Sequence, residues 1–287
     1  MKNGALIFAH NSREVDYALH AVIAGGLVVK HLNVPVSLVT DSSTLKWMEE
    51  SGIHATALHV FENIIEVEKP VTGNVRNLYD GLTKKSVPFV NSNRSSAWDL
   101  TPYDRTLLID SDFLIFSNRL SEYWQAEGDI LISQAMNDVC DISRAGYHDR
   151  YVSDTGIHLL WATNVIFTKN ERSKAFFNMV DYIRKNYQYY ADLFRFNPRQ
   201  FRNDIAFSVA KHILDGFETD LVRTLPPVLT TMDRDILYKV DENEKMTFLV
   251  SPRLDHNFCA VGIKGMDVHV MNKDSITRNA DSLLRLI

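Results

Sequence analysis

The chain has 287 residues, 45% hydrophobic and 23% charged, with a formal net charge of −5. That composition fills a core and excludes an intrinsically disordered chain, and the mild negative balance argues against a protein whose whole surface grips phosphate backbone. Cys140 and Cys259 lie far apart in no metal-ligand spacing, and no apolar run reaches membrane-spanning length, so a soluble protein of a reducing compartment, the cytoplasm, is expected.

In chain order, Gly4–Ala9 is a short apolar run closed by His10-Asn11-Ser12, the pattern of a buried strand, a loop and a helix N-cap. It is too short for a signal peptide. From Glu14 to His31 the residues Val15, Ala18, Leu19, Val22, Ile23 and Leu27 recur at helical spacing. Val34–Asp41 reads as a second strand ending in an acid, and strand, helix, strand with short connections predicts a parallel sheet. Ligands of such sheets sit beyond the carboxyl ends of the strands, where His10, Asn11 and Asp41 stand. Asn11-Ser12 and Asp41-Ser42 fit helix N-caps equally well, the second opening a helix from Ser43 to Ser51. Leu58–Val67 contains a further strand. Gly73, Gly81 and Pro88 interrupt Val71–Asn93, for which a helix from Asn77 to Lys85 and then a loop is the expectation.

Tyr103–Phe116 reads YDRTLLIDSDFLIF. In an extended segment Asp110 and Asp112 share a face, with Ser111 opposite. Two adjacent carboxylates in an apolar run are costly to bury, and a hard divalent cation such as Mn²⁺ or Mg²⁺ neutralises them most directly. The same residues are compatible with a hairpin turn whose acids only solvate a loop, although the Gly that a three-residue hairpin loop favours is missing.

Further on, Ser117–Trp124 predicts a helical turn, Asp129–Gln134 a strand, and Ala135–Ser153, with His148-Asp149-Arg150, a polar loop over the site or in solvent. Gly156–Phe167 is one strand or two short ones. Glu171–Tyr190 is an amphipathic helix whose aromatic stripe, Phe176, Phe177, Tyr182 and Tyr187, is expected in the core. Phe201–Ala210 starts a helix with Asp204 in its first turn, where an acid complements the helix dipole with or without a chemical role. From Leu225 the strand–helix alternation ends. Pro226-Pro227 marks a turn, short strands follow at Thr247–Val250 and Ala260–Ile263, and Met266–Lys273 embeds His269 in an apolar run.

The string Tyr103–Phe116, preceded by a helix ending Trp98-Asp99-Leu100-Thr101-Pro102, resembles the Asp-x-Asp metal motif of GT-A-fold, nucleotide-sugar-dependent glycosyltransferases, above all the glycogenin and lipopolysaccharide-galactosyltransferase type. A second point of resemblance is Met266–Lys273, where that family places a metal-binding His and then a Lys on the diphosphate. Two departures stand out. The Gly of the usual His-x-x-Gly-x-x-Lys is absent and Lys273 comes early, and Thr163-Asn164 stands where Asn-Ser-Gly is expected.

The resemblance implies an α/β, Rossmann-like single domain over residues 1–287, with a mostly parallel central sheet flanked by helices. Residues 1–118 would bind the donor and 119–287 the acceptor. It implies Asp110, Asp112 and His269 as metal ligands. Asp110 is also implied at the ribose, with His10, Asn11 and Asp41 at base and ribose. Arg94 is the preferred cation for the diphosphate over Arg76 and Lys84, and Lys273 joins it. Thr163 and Asn164 would face sugar and acceptor, and Asp204 would position one of them. The implied activity is Mn²⁺- or Mg²⁺-dependent transfer from a nucleoside diphosphate sugar, a UDP-sugar foremost, to a hydroxyl of a glycan or of a hydroxymethylated DNA base, as in phage-encoded enzymes. A sugar-phosphate nucleotidyltransferase would need a Gly-rich basic loop after the first strand, and His10-Asn11-Ser12-Arg13 is not one. A non-catalytic nucleotide-sugar-binding module is the remaining alternative.

Overall fold

The structure, a computed structural model, describes residues 1–70, 75–79, 84–140, 150–197, 200–217, 224–251 and 257–287. The side chains of Arg76 and Lys84, and the pair His148-Asp149, lie outside that description. Strand β1 (Asn3–Phe8), helix α1 (Tyr17–Leu32) and strand β2 (Val36–Thr40) form the expected βαβ unit, with β1 and β2 parallel. Gly4 is required at the base of β1, because a Cβ there would lie 2.5 Å from the Tyr103 ring. Helices α2 (Ser42–Glu50) and α3 (His54–Val60) lead into β3 (Asn63–Glu66), which adds parallel to β2.

The helix expected from Asn77 to Lys85 does not form. Strands β4 (Val75–Tyr79) and β5 (Lys84–Pro88) pair antiparallel instead, with Val87 of β5 buried. The helical spacing over this stretch is weak, and strand pairing of its described residues wins over it. A 3-10 turn at Arg94–Ser96 and helix α4 (Ala97–Leu100) then deliver the chain to β6 (Arg105–Ile109), parallel to β1 on the side away from β2.

Strand β7 (Phe113–Leu114), a 3-10 helix at Arg119–Gln125, and strands β8 (Ile130–Ser133), β9 (Met136–Asp138) and β10 (Trp161–Thr168) follow. The central sheet has the order β3-β2-β1-β6-β10-β8, with β10 antiparallel to its two neighbours. This is the α/β class and largely parallel sheet that the sequence leads one to expect. Strand order reverses between β1 and β6, which opens a crevice at their carboxyl ends. The segment expected as a wholly irregular loop, Ala135–Ser153, holds β9, because its backbone pairs parallel with β11 (Val228–Thr230).

The helix expected over Glu171–Tyr190 is two, α5 (Glu171–Lys185) and α6 (Tyr187–Phe194), broken at Asn186, a poor helix former whose φ of −114° leaves the helical range. Phe176, Phe177 and Tyr187 are buried as expected, whereas Tyr182 is 57% exposed. Tyr182 precedes the break and stands on the far side of α5 from the buried face Phe176, Phe177, Val180 and Ile183, so helical periodicity itself turns it outward. Helix α7 (Asn203–Leu214) packs on α5 through edge-to-face contacts of Phe207 with Phe176 and Phe177.

Strands β12 (Ile236–Val240), β13 (Lys245–Val250) and β14 (Cys259–Lys264) form an antiparallel sheet. Strand β15 (Val268–His269) joins the sheet β7-β15-β11-β9, and helices α8 (Lys273–Arg278) and α9 (Ala280–Leu284) close the chain.

Candidate functional site

Strand β6 is buried along its whole length, so it lies deep in the sheet and carries Asp110 out at its carboxyl end. The Phe113 N–H donates to the Asp110 carbonyl at 3.1 Å, closing a turn over Asp110–Phe113. The turn, and not alternation along an extended strand, therefore brings the two carboxylates together. It does not make a hairpin either, because β7 leaves the central sheet and pairs with β15, opposing Phe113 to His269. The Val270 N–H donates to the Asp112 carbonyl at 2.9 Å. Asp267 locks the far end of this pairing by accepting from the amides of Phe116 and Ser117, each at 2.8 Å. Sheet register thus sets His269 beside Asp112.

One ligand atom each from Asp110, Asp112 and His269 lies within 4.8 Å of the others, and among the described residues this is the one such group of three. Asp112 Oδ1 is 3.3 Å from His269 Nε2, and Lys273 Nζ donates to Asp112 Oδ2 at 2.5 Å. Burial alone would raise the Asp112 carboxyl, yet Lys273 and His269 hold it well below the usual carboxylate range. Asp110 Oδ1 accepts from Arg94 Nη1 at 2.9 Å, and the same nitrogen reaches the Ala162 carbonyl at 2.6 Å. Arg94 is 3% exposed, and its Nε and Nη2 have no hydrogen-bond partner among the described residues. Two carboxylates and an imidazole, with a partly unsatisfied cation beside them, are a donor set that fits a divalent ion such as Mn²⁺ or Mg²⁺.

A cavity of about 500 Å³ opens on this group. Asp110, Asp112, His269, Arg94, Lys273, Thr163 and Asp204 all line it. Thr163 Oγ1 sits 3.2 Å from His269 Nδ1, and its carbonyl accepts the Asp110 N–H at 2.9 Å. Asp204 stands in the first turn of α7, clamped by Arg202, whose Nε is 3.1 Å from Oδ1.

The other candidates lie elsewhere. Asn164 accepts from Ser133 Oγ at 3.0 Å and is not part of the lining. His10, Asn11 and Asp41 are likewise outside it. Asn11 Oδ1 accepts the Ala18 N–H at 2.7 Å, Asp41 caps α2 by accepting the Thr44 N–H at 3.1 Å, and His10 Nδ1 pairs with Asp41 Oδ2 at 2.9 Å. Sequence reasoning passed over Trp161, Asn203 and Asp233, which also line the cavity. Asn203 is adjacent to Asp204 and was within reach of the same motif. Trp161 and Asp233 carry no local signal.

No protein-family model matches the sequence, and no curated protein does. Solved structures do. The glycosyltransferase GlyE of Streptococcus pneumoniae TIGR4 is 11% identical with a TM-score of 0.42, over 75% of this chain and 43% of that one. The galactosyltransferase LgtC, solved with donor and acceptor sugar analogues, is 12% identical with a TM-score of 0.45, over 78% and 84%. Mouse xyloside xylosyltransferase 1 is 10% identical with a TM-score of 0.44, over 76% and 83%. The chain spans less than half the length of GlyE. The chain is similar in architecture to these glycosyltransferases, and at such scores the likeness carries neither a substrate nor a residue role across.

Proposed function

We propose that this chain is a metal-dependent glycosyltransferase that moves a sugar from a nucleoside diphosphate sugar, a UDP-sugar foremost, to an acceptor hydroxyl. The observation that carries the reading is the Asp110–Asp112–His269 group, set at the carboxyl end of β6 and flanked by the cations Arg94 and Lys273. Breaking the bond between the anomeric carbon and phosphate leaves negative charge on the diphosphate. A divalent cation held by Asp110, Asp112 and His269 would stabilise that charge. Lys273 and the two guanidinium nitrogens of Arg94 that have no partner among the described residues supply further positive charge where charge develops. Asp204, oriented by Arg202, positions the sugar or the acceptor hydroxyl. His10, Asn11 and Asp41 brace the loops at the ends of β1 and β2, toward which the base and ribose would lie. A glycan hydroxyl is the favoured acceptor over a DNA base, since the net charge of −5 gives no general attraction to a polyanion.

The test is nucleotide release from a panel of nucleotide sugars with and without Mn²⁺, comparing the native chain with Asp112→Ala. Mn²⁺-dependent release of one nucleoside diphosphate, lost in the variant, is expected and would name the donor. Metal-dependent nucleotide binding with no turnover would instead favour a non-catalytic binding module. Absence of both would reduce Asp110–Asp112 to a turn.

A further inference from the structure

Asp112 meets two side chains on different oxygens, His269 Nε2 at 3.3 Å and Lys273 Nζ at 2.5 Å. Lys273 is only 9% exposed, so little water screens its charge. A divalent ion coordinated by the same carboxylate would sit close to that ammonium, and like charges sharing one buried carboxylate repel strongly. We propose that Lys273 is an exchangeable counter-ion. It neutralises Asp112 in the free protein, then passes its ammonium to the phosphate oxygens of an arriving nucleoside diphosphate and leaves the carboxylate to the metal. This inference rests on the nucleotide-sugar reading of the site.

The local structure suits such an exchange. Lys273 opens α8, whose backbone start is held by the Asn272 cap, Oδ1 accepting the Ser275 N–H at 3.1 Å. Its neighbour Asp274 is tied to Lys85 of the β4–β5 hairpin at 3.3 Å. With the helix start anchored, the flexible four-carbon stem can swing Nζ between oxygens without backbone movement. Arg94 is unsuited to the same role, since its Nη1 is bonded to both Asp110 and the Ala162 carbonyl. The consequence is coupling: metal and diphosphate raise each other's affinity by one common factor, and part of that factor resides in Lys273.

Calorimetric titration of the full chain with Mn²⁺ alone, UDP alone and the two together tests this, using native protein, Lys273→Met and Lys273→Gln. Both variants are expected to bind Mn²⁺ alone roughly tenfold more tightly than native protein, and to show a smaller mutual enhancement with UDP. Unchanged or weaker Mn²⁺ affinity in the folded variants, while native protein still binds Mn²⁺ with UDP, overturns the exchange and leaves the transferase reading standing. No binding of either by native protein overturns both. A second measurement needs no variant: amine acylation of native protein, read by peptide mass. Lys273 should label faster with saturating Mn²⁺ and be protected again when UDP is added; labelling indifferent to Mn²⁺ overturns the proposal.

Discussion

Two polar clusters stand at the carboxyl ends of the parallel strands, and they differ in how far the protein itself satisfies them. At the ends of β1 and β2, Asp41 accepts from Ser43 Oγ, from the Thr44 amide and hydroxyl at 3.1 and 2.8 Å, and from His10 at 2.9 Å. Although burial opposes it, these hydrogen bonds push the Asp41 carboxyl down to about 2. His10 Nε2 is the atom there without a partner among the described residues. At the end of β6, by contrast, Arg94 keeps two nitrogens without a partner among the described residues, and Asp112 is shared between His269 and Lys273. A saturated carboxylate fixes a loop, whereas buried charge with unused hydrogen-bonding capacity is arranged for something that arrives.

The sharpest way to break this contrast is to delete each carboxylate. Asp112→Ala should lower Mn²⁺-dependent nucleotide affinity and donor turnover by about 100-fold or more, measured by calorimetry and nucleotide release. An equal loss of both in Asp41→Ala would erase the distinction. Next in size is Arg94→Met, which strips Asp110 of its buried partner. Urea unfolding should show a loss of about 3 kcal/mol, and donor affinity should drop roughly tenfold. A stability loss without any change in affinity would make Arg94 purely architectural.

His20 lies behind the second cluster, fully buried, its Nε2 2.9 Å from Thr277 Oγ1, and burial lowers it from 6.5 to about 4. The unfolded chain therefore takes up a proton before the folded one does. Stability from this residue is complete above pH 6.5 and is lost as pH falls toward 4, by at most about 3 kcal/mol. His20→Gln should flatten that limb of a denaturation series, and an unchanged slope would mean that other groups set it.

Smaller still is the stability effect of Asp41→Ala, a lost helix cap worth about 1–2 kcal/mol by thermal or urea unfolding. Because the folded carboxyl titrates near 2 and the unfolded one near 3.8, its contribution is present above 3.8 and disappears as pH falls toward 2. Tyr182→Ala should cost no more than about 0.5 kcal/mol, in keeping with its exposed position. A larger loss would restore it to the core.

Much of this was legible in local pattern. Buried strands over Gly4–Ala9 and Val34–Asp41, the parallel βαβ unit between them, and the costly pair Asp110 and Asp112 all follow from apolar runs and what interrupts them. Such runs report which residues must leave water, and a parallel strand buried on both faces leaves little choice. The hairpin β4–β5 and the break at Asn186 were not legible, since each depends on weak local preferences that neighbouring packing decides, whereas the exposure of Tyr182 follows from its place off the buried face of α5.

The site divides the same way. The amino-acid sequence by itself placed two carboxylates one residue apart at the end of a buried strand, where either a cation or a solvated turn could satisfy them. The resemblance had named His269, Lys273 and Arg94, and only the tertiary structure brought them to the carboxylates: the β7–β15 pairing brings His269 to Asp112, α8 brings Lys273, and the turn before α4 brings Arg94 to Asp110. Those meetings join segments remote in the chain, and their register is set by packing across the whole molecule, which no short stretch of sequence encodes.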